Sequence, residues 1–151
     1  MKNNHFYLDF NNLKGKSTDT IIENGLCGKE RPDRVYESQS FILILECDEN
    51  QHKDRQCSCE QTRMVNIGQA YGGLPVYFIR FNPDDYLPRE EKKLVDKIQQ
   101  RYKLLADLIK SILANKTLLP NALLSAIYMY YDGWSSLEEE KWNIITPFET
   151  A

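Results

Sequence analysis

The stretch "FILILECDENQH" runs through Phe41, Ile42, Leu43, Ile44 and Leu45 and then sets Glu46 and Asp48 around Cys47. Residues two apart on a strand share a face, so these two carboxylates are expected on the same side. Glu46 ends a run so apolar that its backbone is expected to be buried. A buried carboxylate is costly unless a cation or hydrogen bonds answer it. Asp33, at the front of the preceding strand, returns beside Glu46 if the two strands form a hairpin. Oxygen ligands converging from two strands suit a hard divalent ion such as Mg²⁺, which takes one or two carboxylates and fills its other positions with water and substrate phosphate. Such an ion lowers the pKa of a bound water, neutralises phosphate oxygens and orients attack, which is what phosphodiester hydrolysis requires. Gln51 and His52 follow where the chain leaves the strand. A neutral imidazole there would serve as general base, and a protonated one would steady the leaving oxygen. Against this stands plain solvent exposure, for each carboxylate and for the histidine.

The elements that must position these groups are read from periodicity. In "DRVYESQSFILILECD" the first few residues and the run Phe41 to Asp48 predict two strands joined by the polar turn Glu37 to Gln39, and the continuous apolar run predicts cover on both faces of the second. From Cys59 to Tyr71, the spacing of Met64, Ile67 and Tyr71 gives one helical stripe, closed by Gly72 and Gly73. "LPVYFIRFNP" predicts another buried strand, so strand, helix and strand suggest a crossover unit. A long amphipathic helix is expected from Pro88 to Lys116, its stripe formed by Leu94, Ile98, Leu105, Ile109 and Ile112. That stripe serves either the core or a homodimer interface. The alternation of Ile127, Met129 and Tyr131 before Asp132-Gly133 favours a strand. Residues 1–30 are polar and weakly periodic, with one short helix expected near Thr18 to Glu23.

The chain has 151 residues, enough for a single domain over 1–151 with a sizeable core. A hydrophobic share of 42% and a charged share of 27% are those of an ordinary globular protein. No apolar run reaches the length of a membrane-spanning helix, and "MKNNHFYLDFNNLKGK" lacks the apolar region of a signal peptide. No membrane partner is therefore expected, and an intracellular, reducing compartment is. In that setting the four cysteines read as thiols or metal ligands rather than a disulfide framework. A net charge of −3 argues against coating nucleic acid by bulk charge and leaves a local grip on DNA open.

"RPD" at Arg31 to Asp33, followed by a hydrophobic strand ending in "ECDENQH", resembles the PD-(D/E)xK nuclease superfamily, in the branch related to very-short-patch repair endonucleases. "GLCGKERPD", "ECDENQHKDRQCSCEQTRM", "GGLPVYFIRFNPDDY" and "YYDGW" look more closely like nuclease-like proteins of large eukaryotic DNA viruses. The likeness covers roughly residues 19–134. It implies a restriction-endonuclease-like α/β fold, a mixed sheet flanked by helices. The nuclease core would span about residues 19–86, with a long C-terminal amphipathic helix and terminal elements, 88–151, packed on it. It implies a Mg²⁺- or Mn²⁺-dependent DNA endonuclease of repair or homing type, acting as monomer or homodimer. If the chain is viral, its place is the cytoplasm or nucleus of an infected cell. Asp33, Glu46 and Asp48 would be the metal-binding carboxylates, with Gln51 and His52 completing the catalytic set. Arg63 and Arg80 fall at basic positions of the pattern, as DNA phosphate contacts or as surface ion pairs.

The resemblance also implies departures. Asp48 stands in the slot of the superfamily's lysine, and no acidic residue on an N-terminal helix is evident beyond Glu23. The alternative is therefore a catalytically degenerate DNA-binding or assembly module on the same scaffold. Repair endonucleases of the branch carry a structural zinc nearby. Here Cys57 and Cys59, with Cys27 upstream and His52 or His5 as a fourth ligand, would form such a Zn²⁺ site, against the alternative of free thiols.

Overall fold

The computed structural model describes residues 22–23, 29–30, 32–52, 57–89, 97–136 and 142–146. The apolar runs become the middle of a sheet. Strands β3 (Arg34–Glu37), β4 (Ile42–Cys47), β5 (Val76–Phe81), β6 (Leu124–Met129) and β7 (Asn143–Ile144) lie in that order, while β1 (Ile22–Glu23) and β2 (Lys29–Glu30) form a separate two-stranded sheet. β3 and β4 are an antiparallel hairpin with Arg34 opposite Leu45 and Glu37 opposite Ile42. The hairpin closes with the Ser38 amide donating to the Phe41 carbonyl at 3.0 Å. β4, β5 and β6 run parallel, with Glu46 opposite Arg80 and Arg80 opposite Tyr128, and β7 is antiparallel to β6.

Parallel neighbours need crossovers, and helices supply them. Helix α1 (Cys57–Ala70) lies between β4 and β5 in the chain, and α2 (Ile98–Leu113) between β5 and β6. Each covers one face. Leu43, Leu45, Ile79, Phe81, Ile127 and Met129 pack with Leu105, Ile109 and Ile112 of α2. Val35, Ile44, Val76, Phe78 and Ala126 pack with Met64 and Ile67 of α1. Cover on both sides is why β5 is buried at every position and shows no polar alternation. At Gly68 a Cβ would lie 2.2 Å from Leu124 Cδ2, so any larger residue there requires the Leu124 side chain to move aside.

The described part is thus a mixed α/β arrangement, in line with the expected class. Three expectations are revised. Ile22–Glu23 is a strand paired with Lys29–Glu30, not the end of a helix; residues 18–21 lie outside the described residues. The long helix expected from Pro88 is Ile98–Leu113, with residues 90–96 outside the described residues. Pro88 and Arg89 are not helical, because the neighbouring backbone is bonded elsewhere. The Leu87 amide donates to Asp132 Oδ1 at 2.8 Å, and the Arg89 amide to the Trp134 carbonyl at 3.2 Å. α2 begins instead where Gln100 Oε1 accepts from the Lys97 amide at 3.2 Å. Its stripe, Tyr102, Leu105, Ile109 and Ile112, is buried in the chain's own core. Finally, the strand expected around residues 127–131 ends at Met129, and Tyr130 turns the chain with a positive φ of 61°, so Tyr131 leaves the alternation.

Candidate functional site

Continuing the β3–β4 register by one residue sets Asp33 opposite Glu46 at the end of the hairpin. Half-buried Asp33 accepts a hydrogen bond from the Cys47 amide through Oδ2 at 2.8 Å, which ties its carboxylate to the end of β4. Glu46 is 2% exposed. Its Oε2 accepts from Arg63 of α1 at 3.1 Å, while Oε1 is buried with no hydrogen-bond partner. Burial pushes the Glu46 carboxyl well above its ordinary pKa; Asp33, Asp48 and Glu60 push the same way, and Arg80 opposes them. With the proton on, the Arg63 contact is a hydrogen bond to a neutral acid; with it off, an ion pair.

Asp48 is placed differently. Arg80 holds both of its oxygens, Nε to Oδ2 at 2.5 Å and one terminal nitrogen to Oδ1 at 2.9 Å, and Tyr131 donates its hydroxyl to Oδ2. The same terminal nitrogen of Arg80 meets Glu60 Oε2 of α1 at 2.5 Å. Burial alone would lower the Arg80 pKa, yet the carboxylates of Asp48 and Glu60 raise it above its ordinary value. The Tyr131 hydroxyl is raised too, by burial first and then by Asp48, so it stays a donor. Arg63 goes the other way, lowered to about 10 by burial and by repulsion from Arg80.

The chain leaves β4 through a single turn, Glu49–His52, in which Asn50 and Gln51 adopt positive φ of 51° and 57°. Several bonds hold these conformations. The Gln51 amide donates to the Asp48 carbonyl at 3.0 Å and the Asn50 amide to Asp84 Oδ2 at 2.6 Å. The Gln51 side chain pairs reciprocally with Asp132: Nε2 donates to Oδ1 at 3.0 Å, and the Asp132 amide donates to Oε1 at 3.0 Å. Buried Asn82, just past β5, donates to the Tyr130 carbonyl at 2.9 Å. The exits of three parallel strands are thereby bonded to one another.

The expected carboxylates do gather at one end of the sheet. Their roles separate, since Asp48 is engaged by Arg80 and Tyr131 whereas Glu46 faces Asp33 with one oxygen unbonded. Among the described residues no group of three or more His, Cys, Asp or Glu is arranged to hold a metal ion. The Asp33 and Glu46 pair still offers the one or two carboxylates that Mg²⁺ takes. Gln51 spends its amide on Asp132. The His52 side chain lies outside the described residues. Glu60, Tyr131 and Asp132 belong to the site and escape a reading by motif. For Glu60 a signal exists: it stands three residues before Arg63, hence on the same helical face.

Of the candidate zinc set, Cys59 is the one member whose side chain is among the described residues. Cys59 is disulfide-bonded, so its sulfur is not a thiolate ligand, and Cys47 is half-buried. Cys27, His5 and the Cys57 side chain lie outside the described residues. Spacing along the chain could not reveal this bond, because a disulfide needs only spatial approach. No described helix is long and apolar enough to cross a membrane. Compared with protein-family models, curated proteins and solved structures, the chain gives no significant match.

Proposed function

We propose that this protein is a metal-dependent DNA endonuclease that hydrolyses phosphodiester bonds, with Asp33 and Glu46 as its cation-binding pair. One observation carries the reading: a buried carboxylate oxygen, Glu46 Oε1, has no hydrogen-bond partner and stands beside a second carboxylate across the hairpin. A buried acceptor left unmade is costly, and a divalent cation with its waters answers that cost. Bound there, the ion would supply an activated water and charge neutralisation at the phosphate. The chain's own residues do the rest. The Cys47 amide orients Asp33, Arg63 orients Glu46, and Asp48 with Arg80 braces the strand ends. Asp48 is on this reading a structural anion rather than a ligand. The residues concerned are those at which the sequence resembles the PD-(D/E)xK nucleases.

The test is cleavage of plasmid, mismatched and branched DNA with Mg²⁺ or Mn²⁺. Cutting by the wild type, lost in Asp33→Ala and Glu46→Ala proteins that still melt cooperatively, is the expected result. Protein that leaves every substrate intact with both metals overturns it.

A second reading, a DNA-binding or assembly module without catalysis, is favoured by one feature. Asp48 stands where the superfamily has lysine, and its oxygens are already occupied by Arg80. It predicts DNA retention that weakens steeply with salt, no strand breaks, and carboxylate variants that behave as wild type.

A further inference from the structure

We propose that the Cys59 disulfide is a redox latch on the carboxylate end of the sheet. With the bond closed, the first two turns of α1 hold Glu60 on Arg80 and Arg63 on Glu46, and reduction lets them come away. The proposal rests on the nuclease reading above and adds a regulation of the same site.

Packing gives the bond its leverage, because α1 is held unevenly along its length. Met64 and Ile67 are buried in the apolar cluster on this face of the sheet, with Val65 and Tyr71 packed against it. Among the described residues of α1, none before Met64 belongs to that cluster. Polar contacts hold the N-terminal part instead. Glu60 Oε2 meets Arg80 at 2.5 Å, Gln61 Nε2 donates to the Thr146 carbonyl at 3.1 Å, and Arg63 donates to Glu46 Oε2 at 3.1 Å. Helical stability in proteins comes mostly from packing an apolar face, so a helix end without one opens at low cost. The disulfide falls in that stretch, at the residue before Glu60.

Thiol exchange supplies the trigger. Cys59 and Glu60 are half-buried, at the margin of the fold rather than in its core. A thiolate of an external dithiol attacks one sulfur of the bond, a mixed disulfide forms, and the second thiol of the same dithiol displaces it. The S–S bond breaks, the two cysteine sulfurs take up two electrons and two protons, and the dithiol leaves as its own disulfide. The constraint on the helix end goes with the bond. Glu60 and Arg63 lie within a turn of Cys59, so the contacts that fray with this end are the two that reach the sheet. Arg80 then keeps Asp48 but loses Glu60, and Glu46 loses the guanidinium that orients it. Oxidised protein carries an ordered site, and reduced protein a loosened one.

The experiment uses the full chain, wild type and Cys59→Ser, before and after treatment with dithiothreitol. Three quantities are read: thiols titrated in denaturant, amide hydrogen exchange, and cleavage with Mg²⁺ or Mn²⁺. Untreated wild type should show two fewer thiols than the four cysteines of its sequence. On reduction the amides of residues 60–64 should exchange at least about tenfold faster while those of β5 and α2 keep their protection, and cutting should fall about tenfold. Both effects should reverse on reoxidation. Cys59→Ser should match reduced wild type and ignore dithiothreitol. Four thiols in untreated protein overturn the proposal, as does unchanged exchange in α1, or protection lost throughout the sheet. A Cys59→Ser protein that still responds to dithiothreitol overturns it as well, and so does a cleavage rate that stays constant while the exchange changes. If the wild type cuts in neither state, the nuclease reading fails by itself, and the exchange still decides whether the bond governs this end of α1.

Discussion

The two faces of the sheet are built on opposite terms. The face under α2 is apolar along its length, Leu43, Leu45, Ile79, Phe81, Ile127 and Met129 meeting Leu105, Ile109 and Ile112. The face under α1 begins in the same way, with Ile44, Phe78 and Ala126 against Met64 and Ile67. One pleat further along, it turns to Glu46 and Arg80, met by Glu60 and Arg63. Even the buried arginine of α2 is handled differently. Arg101 lies 5.0 Å from the ring centroids of Tyr86 and Tyr130 and donates to the Asp84 carbonyl at 2.8 Å. That is aromatic stacking, worth about 0.5–2 kcal/mol and indifferent to a metal. One face supplies rigidity, which lets the other keep charges that stability alone would not select.

Substitutions on the two faces should separate these roles. The largest expected loss is at Arg80→Ala, which leaves Asp48 and Glu60 facing each other without their shared cation; about 3–5 kcal/mol of stability should go, read by urea unfolding. A loss near that of an exposed ion pair would mean that the pairing of Arg80 with Asp48 and Glu60 does not hold the strand ends together. On the other face, Ile109→Ala should cost about 2–5 kcal/mol through the cavity it opens. Cleavage per folded molecule should stay at the wild-type level, and a fall in it would couple the foundation to the site. Tyr131→Phe removes a hydroxyl that donates to a buried carboxylate, and about 1.5–3 kcal/mol is expected.

The smallest effect is the one with a sign. The folded-state pKa of Glu46 lies well above its ordinary 4.5, so the folded chain holds that proton more tightly than the unfolded chain. Its contribution is complete below 4.5 and is lost as pH rises through the elevated value. Metal-free wild type should therefore melt lower at pH 8 than at pH 5, and Glu46→Gln should flatten that difference. An equally steep dependence in the variant would place the buried proton elsewhere.

What could be read in advance follows the same division. β4 and β5 were legible because apolar runs covered on both faces admit few other fates, and the β3–β4 hairpin because its polar turn separates them. Asp33 and Glu46 were legible from their place at the ends of those strands. The start of α2 was not, because Pro88 signals a helix start while Asp132 and Trp134, distant in sequence, take up the neighbouring amides. Tyr131 was hidden for a similar reason. Read as a strand residue, it lies past the positive φ of Tyr130, which aims it at Asp48. The Cys59 disulfide was not legible because the reducing compartment, expected from the lack of a signal-peptide-like or membrane-length apolar run, weighed against any cross-link.

The pairing of Gln51 with Asp132 joins groups 81 residues apart. Contacts of such range close late in folding, after the loop entropy between them has been paid. A nascent or truncated chain that stops short of Asp132 would already contain every proposed ligand and both arginines, yet lack the clasp that sets the β4 exit. Competence to act on a substrate would then arrive only after the chain has been made past Asp132, which withholds the chemistry from shorter copies.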